Sequence, residues 1–313
     1  MSQYILRRLL VLPIVLLGVS VLVFMVLHLV PGNPAQVIAG PDAPPETVAA
    51  IEKQLGLDKP LPEQYAIYLG RVLHGDLGRS LRTKRPVLSD VMDALPKTIE
   101  LTLVSVIITP IIAIPLGVAA AAKRGTPTDS GLMLTSMLGI TAPVFAIALG
   151  LMWVFGYKLR WLPISGYGGP IWTLDGLKSV ALPAITLAIG SVATMARLTR
   201  SAMLEVLNQD YVRVARAKGL REPTVLLRHG LKNALLPVIT VLGLQVAYLL
   251  SGAVVTETVF AWPGVGRLAV YAIQARDFPV VQGTVLVISL FFVAVNLAVD
   301  IVYALIDPRI HYG

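Results

Sequence analysis

The 313-residue chain contains no cysteine and only four histidines. Without cysteine, neither a disulfide framework nor a thiolate metal site can form. The histidines are too far apart in sequence to indicate a metal cluster by themselves. The chain also lacks a G-x-x-x-x-G-K-[ST] phosphate loop, an H-E-x-x-H motif and an evident nucleophile–base pair. We therefore expect no enzyme activity, no metal site and no cofactor in this chain.

Charged residues are scarce as well, at 14% of the chain, against 56% hydrophobic residues and a mean hydropathy of +0.76. A soluble domain of this composition would expose far too much apolar surface. Apolar runs of roughly 20 residues recur, each long enough as a helix to cross a hydrocarbon core. The sequence predicts an all-α integral membrane protein with six spans, at about 9–30, 99–122, 132–156, 181–197, 234–256 and 283–306.

The first apolar run could be a cleavable signal peptide, since Arg7 and Arg8 precede it. It exceeds the usual length of such a segment, however, and ends in PGNP without an A-x-A-like site. We expect a retained anchor. The predicted organisation is an anchor with an outer cap segment over 1–97 and a five-helix core over 98–313, with a cytoplasmic loop at about 200–232.

The distribution of basic residues predicts the orientation of the chain. Short segments on the side of the two termini carry thirteen Lys and Arg, and those on the other side carry five. The segment at about 31–97 is too long to count under the positive-inside rule. Both termini are therefore expected in the cytoplasm. Residues 31–97 are expected outside, with two short amphipathic helices followed by the glycine-punctuated turn GDLGRS.

The stretch YVRVARAKGLREPTVLLRHGLKNALLP, from Tyr211 to Pro237, is basic and lies between two apolar runs. Eight Lys and Arg against three acids lie between Arg197 and Lys232. Charge alone leaves two interpretations: an anchor on anionic lipid, or a docking surface for an acidic partner. A short helix stopped by Gly219 favours the partner.

Polar residues are sparse within the predicted spans. Gln245, Tyr248 and Ser251 lie at i, i+3 and i+6 and loosely share one face of the fifth span, so they are the predicted substrate path. Interhelical hydrogen bonding is the alternative for each of them. Asp300 is the only acid deep in a predicted span, and Arg197 or Arg200 is its expected partner.

Several motifs resemble the first permease subunit of the dipeptide/oligopeptide branch of ATP-binding-cassette importers. Tyr211 to Gly219, with Ala215 and Ala217 before the glycine and Leu236-Pro237 after it, is similar to the family's cytoplasmic EAA loop, although Arg213 stands where the general pattern has an acid. The resemblance extends along the chain through YILRRLL, HLVPGNPA, QLGLDKP, GDLGRS, LPKTIELT, TETVFAWPGVGRL and RDFPVVQG.

The resemblance implies a coupling helix that docks on an ATPase, formed by Tyr211, Arg213, Ala215, Arg216, Ala217, Lys218 and Gly219. It implies a homologous second permease, two ATPase subunits or domains that hold ATP and magnesium, and a substrate-binding protein met by the outer loops. Expected contacts with that protein are Gly75, Asp76, Trp262, Pro263 and Gly264. Relatives import dipeptides, oligopeptides, glutathione or nickel complexes. A proton-coupled secondary transporter and a non-transporting scaffold are the alternatives, and the single intramembrane acid speaks against a proton relay.

Overall fold

The structure is a computed structural model that describes residues 2–29, 34–40 and 43–306. Within these ranges every regular element is helical, and the one extended pairing is an isolated bridge between Arg79 and Pro86. The chain divides into two compact units. Of the described residues, the first unit contains those up to Leu95 together with Leu268–Leu297, and the second contains Pro96–Arg267 and 298–306.

The first unit begins with a long helix and a series of short ones. They are α1 (Ser2–Leu29), α2 (Pro34–Ala39), α3 (Pro45–Leu55) and α4 (Leu61–Leu73). Proline begins α3 and precedes α4, where a missing N–H costs nothing, and Gly56 ends α3 with φ +71°. Phe24 of α1 packs edge-on against Tyr65 of α4, with ring centroids 5.4 Å apart. Helices α3 and α4 thus lie in the segment where the sequence predicts two short amphipathic helices.

Three helices contribute residues to both units. These are α5 (Val87–Ala122), which begins in the first unit, α12 (Val265–Gln274) and α13 (Phe278–Ile306). The second unit adds α6 (Pro127–Thr141), α7 (Val144–Leu151), α8 (Leu174–Leu207), α9 (Asp210–Ala217), α10 (Glu222–Thr224) and α11 (Lys232–Val259). Two π-helical segments, Met152–Lys158 and Val225–Leu231, follow α7 and precede α11.

Helix α8 is the centre of the second unit. It contributes residues to four separate apolar clusters, from Val180 and Leu182 near its start to Met203 near its end. Its neighbours approach closely because the contacts use small residues. A Cβ on Gly117 of α5 would lie 2.6 Å from the carbonyl oxygen of Ala196, so this helix crossing requires glycine.

Among the described residues, four helices are long and apolar enough to cross a membrane, or five spans result if the bent pair α6 and α7 counts as one. That pair is bent by 110°, and the bend lies within the one span that the sequence predicts at 132–156. The bend falls at Ala142-Pro143, because proline lacks an N–H and drives the preceding residue into the extended region, where Ala142 has ψ 134°. The first predicted span contains a shorter apolar stretch, Leu12–Met25. The described residues therefore support four or five spans by length and composition, and the predicted sixth stays a prediction.

Candidate coupling loop and transport path

The expected coupling helix is α9, and its ends are well defined. Asp210 lies in the first turn, where a negative charge suits the helix dipole. At the other end Gly219 has φ +77°, and its N–H donates to the Arg216 carbonyl at 2.9 Å. The N–H of Leu220 donates to the Ala215 carbonyl at 3.4 Å, which completes a Schellman-type stop. The helix is therefore short and ends abruptly.

One face of α9 is seated on the rest of the second unit. Val212 and Ala215 lie three residues apart and are buried, at 0% and 6% exposure. Tyr211 and Val214 of α9, and Leu220 just beyond it, are exposed. Ala215, one residue of the expected coupling helix, therefore lies with Val212 on the face that is buried within this chain. The outward apolar side chains are Tyr211, Val214 and Leu220.

Polar contacts tie the loop to itself and to the start of α11. Arg216 donates two hydrogen bonds to the carboxylate of Glu222, at 3.2 Å from Nε and 2.7 Å from Nη2. The Glu222 carboxylate accordingly raises the pKa of the Arg216 guanidinium, mainly through this hydrogen bond. Asn233 Nδ2 donates to the Tyr211 hydroxyl at 2.7 Å. Arg216 is thus engaged within the loop, whereas Arg213 is largely exposed and makes a 3.4 Å contact with Asp210.

The chain after this loop enters α11 through the π-helical segment Val225–Leu231. Gly230 is buried there, and a Cβ on it would lie 3.1 Å from the Met203 side chain of α8. Isolated π-helical turns inside helices are frequent at functional sites. The segment joins the coupling loop, the end of α8 and the start of α11 in one packed region.

Arg200 of α8 pairs with Asp129, at the start of α6, in a two-pronged contact. Nε and Nη2 donate to the two carboxylate oxygens, each at 2.7 Å. Asp129 also accepts from the N–H of Gly125 at 3.0 Å and is buried. Asp300 was one expected partner of Arg200; its side chain lies outside the described residues, and Arg200 is already engaged elsewhere. The pair fastens the 123–131 loop to α8.

The predicted substrate path is described only in part. The backbones of Gln245, Tyr248 and Ser251 lie in α11, but the side chains of Tyr248 and Ser251 are outside the described residues. Ser191 of α8 donates to Gln245 Oε1 at 2.8 Å. Gln245 therefore makes an interhelical hydrogen bond to the central helix, which is the alternative role considered for it.

The turn after α11 is closed around a buried carboxylate that the sequence reasoning missed. Glu257 is fully buried, and it accepts from Thr98 Oγ1 at 2.6 Å and from the N–H of Arg267 at 3.0 Å. Thr98 in turn accepts from the N–H of Val265 at 2.9 Å. The carboxylate occupies the space that a Cβ on Gly264 would need. The signal was present in the sequence as two glycines, Gly264 and Gly266, shortly after an acid.

Trp262 in the same turn is fully buried. Its indole Nε1 donates to the Lys97 carbonyl at 2.8 Å, and its ring meets Tyr167 edge-on with centroids 5.0 Å apart. Trp262 and Gly264 were expected to contact an outer partner. Both residues are buried by contacts inside the second unit, and Pro263 between them is partly exposed. Contact of this turn with an outer partner stays a prediction.

In the first unit, the expected contact residues Gly75 and Asp76 are both exposed. Asp76 Oδ1 accepts from the N–H of Gly78 at 2.9 Å, and both glycines of this turn have positive φ, at +78° and +83°. No group of three or more potential metal ligands occurs among the described residues. The described residues of both units form packed helices joined by surface loops.

Comparison with known proteins agrees with this description. Residues 113–312 match the family described as "Binding-protein-dependent transport system inner membrane component", and residues 1–102 match its N-terminal counterpart. A crystal structure of an amino acid ABC transporter with histidines has a TM-score of 0.52 at 16% identity, covering 78% of this chain and 98% of the other. At that identity the likeness concerns the fold alone.

Curated relatives match from end to end. The dipeptide transport system permease protein DppB of Alkalihalophilus pseudofirmus is 42% identical over 333 aligned residues. The glutathione transport system permease protein GsiC is 44% identical in Salmonella choleraesuis and 42% in Escherichia coli O6:H1, over 312 residues each. All three alignments cover 100% of both chains. The chain therefore belongs to the family of inner membrane components of binding-protein-dependent transport systems.

Proposed function

We propose that this permease subunit belongs to an ATP-driven importer of small peptides, with dipeptides, oligopeptides and glutathione as the substrate class. The observation that carries the proposal is end-to-end identity of 42–44% with permeases named for dipeptides and for glutathione. Dependence on a binding protein, which the family description states, argues against a proton-coupled transporter that acts alone.

The driving energy comes from partner subunits. The sequence has no phosphate loop, so ATP and magnesium belong to two ATPase subunits or domains. A homologous second permease completes the membrane part. The need for this second permease is supported by the large apolar surfaces of α5 and α13. The most apolar stretch of each helix is only 28% buried within this chain. Lipid and a partner permease would cover those surfaces.

Helix α9 is the element that transmits the ATPase movement. Its exposed Tyr211 and Val214, with Leu220 after it, form an apolar surface for a groove on the ATPase. Its buried face and its contacts to Glu222 and Asn233 make it move together with the adjacent helices. A push on α9 would shift the ends of α8 and α11, and the cavity would open alternately to the two faces.

The arrangement in the membrane follows from the charge distribution. Six spans, with both termini and α9 in the cytoplasm and residues 31–97 outside, place the binding protein and the ATPases on opposite faces. Gln245, Tyr248 and Ser251 remain the proposed substrate path. Neutral hydrogen-bonding groups suit a route that must release its cargo, since tight binding would slow transport.

Purification of the tagged chain from its native membrane tests the proposal. We expect ATPase subunits with phosphate loops and a second permease to copurify with it. Cells that lack the gene should lose uptake of radiolabelled dipeptides or glutathione, and a plasmid copy should restore it. If cells that lack the gene took up all these peptides normally, while the purified chain still carried its ATPase subunits, the proposed substrate class would be wrong. The proposed ATP-driven mechanism would not be contradicted by that result.

A further inference from the structure

A short loop in the first unit exposes an unusual density of positive charge. Residues 79–85, here called the basic clip, contain Arg79, Arg82, Lys84 and Arg85, and all four are exposed. The clip connects the GDLGRS turn to the start of α5. A loop that only joins two helices needs no fixed conformation. The hydrogen bonds that fix this loop therefore call for an explanation.

A buried carboxylate from a distant part of the chain holds the clip. Asp277, which is 4% exposed and precedes α13, accepts from Ser80 Oγ at 2.6 Å. It also accepts from the backbone N–H groups of Leu81 and Arg82, at 3.1 and 3.4 Å. Burying a carboxylate is costly unless it is hydrogen-bonded, and here its donors are the Ser80 hydroxyl and two backbone N–H groups of the clip. The position of the clip is thereby fixed.

Further bonds close the clip on itself. Ser80 Oγ accepts from the N–H of Thr83 at 2.9 Å, and the N–H of Ser80 donates to the Arg85 carbonyl at 3.0 Å. Lys84 has φ +59°, a left-handed conformation that a non-glycine residue adopts only when its surroundings require it. A loop backbone held in this strained conformation has a defined shape, so the backbone positions of its cationic residues are defined.

The charges of the clip are only partly neutralised. Arg85 pairs with Asp90 at 3.2 Å and with Asp93 at 3.0 Å. Among the described residues, no carboxylate lies within ion-pairing distance of the Arg82 or Lys84 side chain. Arg276, the residue before Asp277, is also exposed. Arg82 and Lys84 are thus cations held on a rigid frame without an internal counter-charge.

We propose that the basic clip is a docking surface for an acidic patch on the substrate-binding protein that serves this permease. Guanidinium groups recognise carboxylates with directional, paired hydrogen bonds, which a fixed backbone makes selective. Anionic lipid needs no such geometry, since flexible basic segments bind it equally well. The only apolar side chain of the clip, Leu81, is half-buried rather than free to enter a bilayer. The inference rests on the proposed outer location of this segment and on the binding-protein partner.

The proposal predicts a specific electrostatic effect on docking. Charges at the edge of an interface act mostly on the association rate and on its salt dependence. Arg82→Glu/Lys84→Glu should slow association of the binding protein by about tenfold or more at low salt. The dependence on ionic strength should flatten in the same variant. Arg82→Gln/Lys84→Gln, which removes charge without reversing it, should give an intermediate rate.

The experiment uses the complete complex in nanodiscs of neutral lipid. The probe is the binding protein identified with the complex, purified separately, and its binding is followed by surface plasmon resonance. The matched control is Lys53→Glu/Arg71→Glu, which makes the same charge change on exposed cations outside the clip. Copurification of the ATPase subunits and basal ATP hydrolysis check that each variant is assembled.

Each outcome decides between explanations. Slow association in the clip variant with a near-normal control supports the proposal. Equal slowing in both variants would mean that overall charge, not the clip, attracts the partner, and would overturn it. An effect that appears only when anionic lipid is added would identify lipid as the occupant and would also overturn it. Loss of the ATPase subunits from the wild-type complex would instead contradict the proposed function.

Discussion

Single residues decide the closure of the α11–α12 turn. The sequence prediction ends the fifth span at about 256, one residue before Glu257, whereas α11 continues to Val259 and the turn at Trp262–Gly264 follows it. An acid at a span end looks like a surface residue in a linear reading. Only the folded contacts show that Thr98 and the missing side chain of Gly264 create a pocket for its carboxylate.

Replacing Glu257 tests whether this carboxylate holds the turn. Glu257→Ala leaves the buried Thr98 hydroxyl and the Arg267 N–H without their acceptor, a loss of about 1–3 kcal/mol for each unsatisfied group. Glu257→Gln should stay near wild-type stability, because its oxygen can accept from Arg267 N and its amide can donate to Thr98. Thermal aggregation of the detergent-purified complex measures the difference. An alanine variant as stable as wild type would show that the turn stands without the carboxylate.

The Asp129–Arg200 pair is another contact made by single side chains. The sequence suggested Arg200, or Arg197, as a partner for Asp300; in the structure Arg200 pairs with Asp129, 71 residues away, which was not foreseen. Sequence spacing carries no information on contacts between separate helices.

Geometry as well as charge should matter in that pair. Arg200→Lys keeps the positive charge but cannot donate two parallel hydrogen bonds to Asp129, so we expect a lower thermal midpoint. Arg197→Lys, one turn earlier on α8, is the control, since Arg197 has no ion pair with a described residue. Equal midpoints for the two variants would show that the two-pronged contact adds nothing beyond charge.

At the scale of elements, the stop of α9 at Gly219 follows from the sequence because only glycine adopts φ +77° without strain. Which face of so short a helix is buried does not follow, since eight residues make barely two turns and contain apolar residues on several sides. The 110° bend between α6 and α7 falls inside the single span predicted at 132–156. A hydropathy window registers an apolar run whether or not Pro143 breaks it.

The ion pair within the coupling loop gives an element-scale prediction. Arg216→Glu places two carboxylates together and should loosen α9 from α10, so uptake should fall while ATP hydrolysis continues. The exchange Arg216→Glu/Glu222→Arg restores the pair and should recover most of the coupling. The readout is the ratio of peptide transported to ATP hydrolysed. If the exchanged variant stays as uncoupled as the single one, Arg216 acts on the ATPase rather than on Glu222.

For the whole molecule, composition sufficed to predict an integral membrane protein, and the resemblance of motifs spread over the chain sufficed to predict a transporter subunit and its family. The number of spans is harder to predict. The bent pair of α6 and α7 and the short first apolar run both lie near the length limits that define a span.

The orientation prediction is checked by labelling single introduced cysteines, which is clean because the chain has none of its own. Gly75→Cys should react with a membrane-impermeant maleimide in intact spheroplasts, and Gly219→Cys should react only after lysis. A matching cysteine at Asp76 controls for local strain at the glycine. The reverse pattern would move α9 to the outer face and remove it from any cytoplasmic ATPase.

The most direct measurement is uptake into proteoliposomes that contain the purified complex and the separately purified binding protein. We predict that labelled dipeptide or glutathione accumulates only when ATP, magnesium and the binding protein are all supplied, and that the Arg216→Glu complex hydrolyses ATP with little accumulation. Accumulation driven by a proton gradient in vesicles that hold this chain alone, without ATPase subunits, would contradict the account.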